Sequence, residues 1–491
     1  MSNLSELLPA GSSVKSADFV AQGTLASGVT VALRSDGKVE AITGTVTGVG
    51  STATITTNTA RDTNGAYDTG QDKVVVIYSD HSNNSYMTVA VGTPSSNNGL
   101  TFGTPVVILS NDTNYVTATF DSNAGKTLVG GYDGGNSYTG AFFAVTVSGT
   151  TPSVGSKTSL FGAIQYTASS YDTNAQKILV TCNENSNSNY GAAAVATISG
   201  TSVSFGNKLT FNSSDTRFPQ NSYNTNAQKT LVGYIQQANQ YYRCRILTIT
   251  GTSVATSDFF NIYAGAVKMA PVGLSYDPTN YNHIGVFADN TSNAFIGKAG
   301  PMSVNNTQIY FGADVAISPA SGFQYEQGKV SILYYPDTAK HIVTYGNTAD
   351  TKIYYRALTA GSSTLTVGAE TELVTTGSSN NGATESDLIY NPDQGNLIYT
   401  YRDGGADDGE AVAFTLGSTN ATSFIGITNA AISSGATGEV AVKGGLSTNQ
   451  SSLTIGSTYY VQANGSLATT SSTTKAGKAI SATTVNLVDP T

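Results

Sequence analysis

Tyr171-Asp172-Thr173-Asn174-Ala175-Gln176-Lys177, followed by the apolar run Ile178 to Thr181, is the stretch that decides the fold. It reads as the end of one strand, a tight turn and the start of the next. Asp and Asn suit such a turn because their short side chains hydrogen-bond to nearby backbone. The polar run Asn183 to Asn189 makes a second turn, Ala192 to Ile198 a third strand, and Ser199-Gly200-Thr201 a turn into Val203 to Phe211. Short strands joined in this way make one antiparallel meander.

The phrase recurs as Tyr67-Asp68 to Lys73, Phe120-Asp121 to Lys126, Tyr223-Asn224 to Lys229 and Tyr276-Asp277 to Asn282. It closes, more loosely, as Tyr334 to Lys340 and Tyr390-Asn391 to Asn396. The copies number seven, about 51 to 58 residues apart, the size of one four-stranded blade. A second phrase shares the period: Phe102-Gly103, Phe205-Gly206, Phe311-Gly312 and Val367-Gly368. An apolar residue followed by Gly predicts a packed side chain beside a bend, here placed at the third-to-fourth strand connection. Together the two phrases predict an all-β fold, a seven-bladed β-propeller over residues 44–423. The seventh copy lacks an obvious fourth strand, whereas Thr52 to Thr57 is an alternating strand without a partner. The expectation is that Thr52–Thr57 closes blade seven.

The flanks, 1–43 and 424–491, do not carry the repeat. Phe19 to Ile42 reads as short strands with a turn at Ser35-Asp36-Gly37, and Asn464-Gly465 is a strong hairpin signal. Each flank alone is a poor domain, so the two are expected to fold together as one small β module with the propeller inserted between its halves.

Composition agrees. Charged residues are 11%, against about a quarter in ordinary soluble domains. Ser, Thr, Asn and 52 Gly stand in their place, with 28 Tyr and no Trp. β-branched residues and Tyr favour strands. The net charge of −9 comes without a basic patch, which argues against a nucleic-acid partner. No apolar run approaches the roughly 18 residues of a membrane span. Met1 to Leu8 lacks the basic and apolar pattern of an export signal, which predicts synthesis in a cytoplasm. Cys182 and Cys244 are too few for a disulfide framework and read as buried hydrophobes.

The flanks carry a resemblance. Gly23-Thr24-Leu25 through Val31-Ala32-Leu33 to Asp36-Gly37-Lys38-Val39 resembles the start of many tailed-bacteriophage structural proteins. Gly445-Leu446 through Leu453-Thr454-Ile455-Gly456 to Tyr459-Tyr460-Val461 and Gly465-Ser466-Leu467 does likewise. By analogy this implies a virion component, such as a tail fibre, tail accessory or capsid decoration. Its partners would be other virion proteins, copies of itself and a host-surface glycan. Ser95-Ser96-Asn97-Asn98-Gly99-Leu100-Thr101-Phe102 is similar to the Asp-box of sialidase-like propellers, with Asn97 for the Asp and Phe102 for the Trp. That box is a structural turn in the family, not its catalytic site.

Catalysis finds little support. A sialidase-like site needs three arginines, and nothing in the spacing of Arg34, Arg61, Arg217, Arg243, Arg245, Arg356 and Arg402 selects three. His81, His283 and His341 are far apart, and His283 and His341 open equivalent second strands. Nucleophile-elbow and phosphate-loop motifs are missing. The chain therefore reads as non-enzymatic, with no catalytic residue; a glycan-binding or glycan-cleaving sialidase-like propeller is the alternative. No cofactor is expected. Calcium fits only the acidic cluster Asp403, Asp407, Asp408 and Glu410, which a solvated hairpin explains equally. For binding, the Tyr- and Asn-rich turns single out Tyr132, Tyr138, Tyr190, Tyr241 and Tyr242, since Tyr offers a rigid flat face with a hydroxyl.

Overall fold

The computed structural model describes residues 15–487 except 35, 45–46, 266, 268–271, 290–295, 306–307, 319–329, 347–349, 351, 362, 377–385 and 418–419. Met1 to Leu8 and Ser35 lie outside the described residues. The described residues form an all-β fold of successive antiparallel sheets like those of β-propellers, with no α-helix. The chain divides into two units, Val49–Phe414 and the pair of flanks 1–48 and 415–491.

In the larger unit each repeat is a meander. The third repeat comprises the end of Thr158–Asp172, then Lys177–Glu184, Tyr190–Ser199, Ser202–Phe205 and the start of Leu209–Asn224. The first turn is built as its chemistry requires. Asp172 Oδ1 accepts from the Asn174 and Ala175 amides at 2.9 and 2.8 Å. Asp68, Asp121 and Asp277 each accept two amides in the same way, as does Asn391, and Asn224 accepts one. The residue that ends the turn is left-handed in every copy: Asp72, Gly125, Gln176, Gln228, Tyr281, Ala339 and Gly395 have φ from 52° to 62°. The sixth copy matched loosely because Tyr335 stands where the others have Asp or Asn. There Pro336–Thr338 forms a 3-10 turn, and the Tyr335 hydroxyl donates to Gly395 O.

The Gly phrase lies inside the fourth strand rather than at the third-to-fourth connection. That strand comes in two pieces, both paired with the third, because the chain bends between them. Gly103, Gly206, Gly312 and Gly368 donate to Val91, Val195, Pro301 and Ala357 of the third strand. The same bond recurs from Gly155 to Ala144, from Ser257 to Ile246 and from Gly50 to Ala413. Close approach explains the glycines: a Cβ on Gly206 would sit 1.8 Å from Thr252 O of the following repeat.

Ala53–Asp68 serves two repeats. Its start pairs with Asp408–Thr415, Ala53 opposite Ala411 and Thr54 opposite Glu410, and its end pairs with Lys73–Asp80. The first strands of successive repeats pack side by side. Asp387–Asn391 of the last lies against both Ser331–Tyr335 and Ala53–Asp68. Apolar clusters fill the spaces between sheets, for example Val75, Val89, Val129 and Phe143.

The flanking unit contains two five-stranded sheets. In one, Ser16–Val20 pairs with Thr437–Val442 and Thr30–Leu33 with Phe424–Thr428, so both ends of the chain share a sheet. The other is built from Leu446–Ser447, Thr458–Val461, Leu467–Ala468, Lys475–Ala479 and Val485–Leu487. Ala421 and Phe424 pack with Ile427, Tyr459 and Val461, and Asn420 Oδ1 accepts from Thr43 N. Residues just before 424 therefore belong with this unit.

Candidate functional site

The long strands Ala53–Asp68, Thr158–Asp172 and Leu209–Asn224 do not pass smoothly from one repeat to the next. Each breaks register with its neighbour, between Arg61 and Asn64, Gln165 and Ala168, and Arg217 and Gln220. At each break stands a non-glycine residue with positive φ: Asp62 at 51°, Tyr166 at 51° and Phe218 at 50°. Tyr115, at 54°, takes the same place before Thr117–Asp121 in the second repeat. Left-handed backbone on a bulky residue costs about 1 kcal/mol or more and gathers at places where a side chain must be aimed.

The aimed side chains meet. The Tyr115 and Tyr166 rings are 4.6 Å apart, and Tyr166 and Phe218 are 4.3 Å apart. Asp62 Oδ2 accepts from Val116 N at 2.6 Å, and the Thr167 hydroxyl donates to Tyr115 O. The arc thus steps across four repeats. Arg217 lies 5.7 Å from the centre of the Tyr166 ring and is held by Asp215 at 2.9 Å. Tyr132 packs edge-on against Tyr115 and Tyr138 at 6.1 and 5.3 Å. Burial, then the Tyr166 and Asp62 side chains, pushes the pKa of Tyr115 above the ordinary phenol range, and burial pushes that of Tyr132 up to about 12. Tyr115 and Tyr166 are half-buried, suited to packing on the apolar face of a sugar, whereas Tyr132 is buried behind them and its hydroxyl donates to Asp112 at 3.1 Å.

Of the residues singled out from sequence, Tyr132 and Tyr138 join this arc, Tyr138 being 52% exposed. Tyr190 is half-buried at the start of a third strand in the third repeat. Tyr241 is half-buried beside Arg243. Tyr242 is corrected: it is fully buried beside Cys244 and Met302 in the core between sheets. Adjacent strand residues face opposite ways, so Tyr241 and Tyr242 cannot both reach solvent.

The acidic cluster Asp403, Asp407, Asp408 and Glu410 lies at the hairpin between Asn396–Arg402 and Asp408–Thr415. Asp407 accepts from buried Arg402 at 2.6 Å, Glu410 from the Tyr401 hydroxyl at 2.6 Å, and Asp403 from the amides of Gly405 and Ala406. Burial, then Asp403 and Asp407, holds the Asp408 carboxyl above its usual range. Among the described residues no group of three or more His, Cys, Asp or Glu is placed to hold a metal ion. Three of the four carboxylates, those of Asp403, Asp407 and Glu410, are engaged in bonds within the hairpin.

Sequence reasoning passed over Tyr115, Tyr166 and Phe218. Their signal was a repeat-length spacing of aromatics, hidden by Asp62 in the first copy and by the lack of any Gly or Asn to announce a left-handed residue. His283 and His341 are buried. His283 Nε2 sits 3.3 Å from Ser222 O and His341 Nδ1 3.0 Å from Ser275 Oγ, so each reaches back to the preceding repeat. Cys182 and Cys244 are buried thiols.

No protein-family model matches the chain, and no curated protein matches it. Solved structures that are similar include a 6-phosphogluconolactonase-like protein from Bacteroides uniformis, with TM-score 0.45 and 10% identity over 64% of this chain and 85% of that one. An α-L-arabinofuranosidase from Fusarium graminearum, in complex with an iminosugar inhibitor, matches with TM-score 0.43 and 11% identity over 75% of this chain and 98% of its own. Sqt1 of Saccharomyces cerevisiae matches with TM-score 0.45 and 10% identity over 76% and 100%.

Proposed function

We propose that the chain is a non-enzymatic virion structural protein of a tailed bacteriophage, in which seven blades close into one propeller that binds a host-surface glycan. The closed count of seven is supported by the recurrent bend bond, which links Gly50 to Ala413 as it links Gly103 to Val91. It is supported also by contact of the first strand of the last repeat with Ala53–Asp68. The insertion of the propeller in a flanking module is supported by strands from both chain ends sharing one sheet.

The observation that carries the binding role is the arc of Tyr115, Tyr166 and Phe218, held in left-handed backbone at matched places in consecutive repeats. Clustered aromatic rings with neutral tyrosine hydroxyls suit sugar binding. The virion role rests on the flank resemblance, with the flanking unit serving assembly with further copies.

A neutral-oligosaccharide array probed with the full chain tests the binding reading. Wild type should bind a subset, Tyr166→Ala should bind at least about tenfold more weakly, and product chromatography should find no cleavage. Equal binding by both proteins, or turnover of the bound sugar, overturns it. Quantitative mass spectrometry of purified particles of the encoding phage tests the virion reading; particles without the chain would refute it.

A further inference from the structure

The repeats differ in how they neutralise charge beside the bend of the fourth strand. Two residues after the bend, Lys157 and Lys208 in the second and third repeats each bind the acid that ends the second strand. Lys157 meets Asp133 at 2.8 Å, and Lys208 meets Glu184 at 2.8 Å. In the fifth and sixth repeats the signs reverse. The post-bend residue is Asp314 or Glu370, and the cation stands on the third strand. Lys298 lies 3.0 Å from Asp314 and 2.9 Å from Asp289, and Arg356 lies 3.8 Å from Glu370.

The fourth repeat has both cations and neither acid. Arg243 occupies the place of Lys298, and Arg245 that of Arg356, counted from the residue that receives the bend bond (Ile246, Pro301 and Ala357). The post-bend residue is Phe259, and Gln236 ends the second strand where Asp133, Glu184 and Asp289 stand elsewhere. Arg243 is 9% exposed. Its Nε donates to Asn261 Oδ1 at 2.8 Å and its Nη1 to Gln236 Oε1, both neutral acceptors. Arg245 Nη1 donates to Ser257 O at 2.7 Å, and its Nε is buried without a partner. Phe259, itself 43% exposed, lies beneath both guanidinium groups, 4.1 Å from Arg243 and 5.7 Å from Arg245. Among the described residues neither arginine has a carboxylate within ion-pair distance. Two neighbouring guanidiniums taken from water without a counter-charge are costly, and their planar donors match an oxyanion.

We propose that Arg243 and Arg245, floored by Phe259, form a binding site for one oxyanion, the sulfate or carboxylate group of a small or saccharide ligand. The anion supplies the negative charge that Asp314 and Glu370 supply in the fifth and sixth repeats, beside the Phe259 ring that stands at their position. Burial and the second guanidinium loosen the hold of Arg243 on its own proton, which agrees with a site short of negative charge. The site shares no residue with the aromatic arc and does not depend on the glycan reading.

Thermal unfolding of the full chain with sodium sulfate, against sodium chloride at equal ionic strength, is the first test. Sulfate at low millimolar concentration, below the range in which its exclusion from protein surface stabilises any fold, should raise Tm with the logarithm of its concentration, whereas chloride should not. Arg243→Gln with Arg245→Gln should lose the sulfate-specific rise, and Arg34→Gln, in the flanking unit, should keep it. Phe259→Glu restores the missing carboxylate. It should raise Tm in the absence of sulfate and abolish the response, a readout that does not depend on the arginine variants folding. Titration of glucuronate against glucose then separates the sources: binding of the acid alone identifies a saccharide carboxylate, and binding of sulfate alone a sulfate group. An equal response to chloride, or a Phe259→Glu protein that still responds to sulfate, overturns the proposal.

Discussion

The Tyr67 hydroxyl donates to Asp393 Oδ2 at 2.6 Å, joining the turn of the last repeat to the first strand of the first. The same bridge recurs along the chain. Tyr223 receives the Asn174 amide, Tyr276 the Asn226 amide, Tyr334 meets Thr279, and Tyr390 donates to Asp337. In five of the seven phrases the aromatic thus ties its repeat to the one before it. Phe120 has no hydroxyl to do so.

Tyr67→Phe should destabilise the larger unit by about 1–2 kcal/mol, since a part-buried bond to a charged acceptor is lost while the apolar ring stays. Asp393→Asn, which keeps an acceptor, should cost less. Equilibrium denaturant unfolding measures both, and no loss of stability in Tyr67→Phe would show that the bond carries none of the junction's stability.

Asp172 is almost wholly buried in its turn and accepts two amides. Asp172→Ala leaves both unpaired and should cost about 2–3 kcal/mol. Asp172→Asn should be nearly neutral, because Asn224 and Asn391 already fill that role in other repeats. A costly Asn variant would contradict the view that one acceptor oxygen is what the turn requires.

Gly206 and Gly200 separate crowding from backbone strain. A Cβ on Gly206 meets Thr252 O, whereas Gly200, with φ of 58°, has open space around it. Gly206→Val should cost more than about 3 kcal/mol by forcing two repeats apart, and Gly200→Ala only about 1 kcal/mol of left-handed strain. Thermal unfolding of the two variants should therefore rank them in that order.

Burial holds His283 down to about 3 and His341 to about 4, with Asp277 offsetting part of the shift at His341. Both are neutral in the fold at neutral pH. The unfolded chain takes up their protons near pH 6.5, so their contribution to stability is complete above about pH 6.5 and is lost as pH falls toward 4 and then 3. Unfolding free energy measured from pH 7 to 5 should fall, and His283→Gln with His341→Gln should flatten that slope. An unchanged slope would show that other groups set the acid sensitivity.

How much of this was legible in the sequence follows from how local each device is. The Tyr-Asp turn is written in adjacent residues, so its copies could be read directly. The bend was half legible: Phe205-Gly206 announces itself, but Val154-Gly155 and Thr256-Ser257 make the same backbone bond with weaker or different side chains. The Tyr115, Tyr166 and Phe218 arc depends on backbone that no Gly or Asn foretells, and on rings meeting across repeats. The Arg243 and Arg245 pair becomes visible only when five repeats are aligned on their bend bonds and the missing acid is noticed. Tyr242 was misjudged because composition of a turn was weighed above the alternation of the strand beginning there.

The pairing of Ala53 with Ala411 has a consequence for how this protein is made. A ribosome delivers Ala53–Asp68 early and Asp408–Thr415 late, so through most of synthesis the start of that strand, before Ala60, waits without its partner. Such a waiting edge is an open invitation to the wrong neighbour. Crowded polysomes translating this message are therefore where chain exchange between nascent copies would begin, and slow elongation near the end of the message would prolong the exposure.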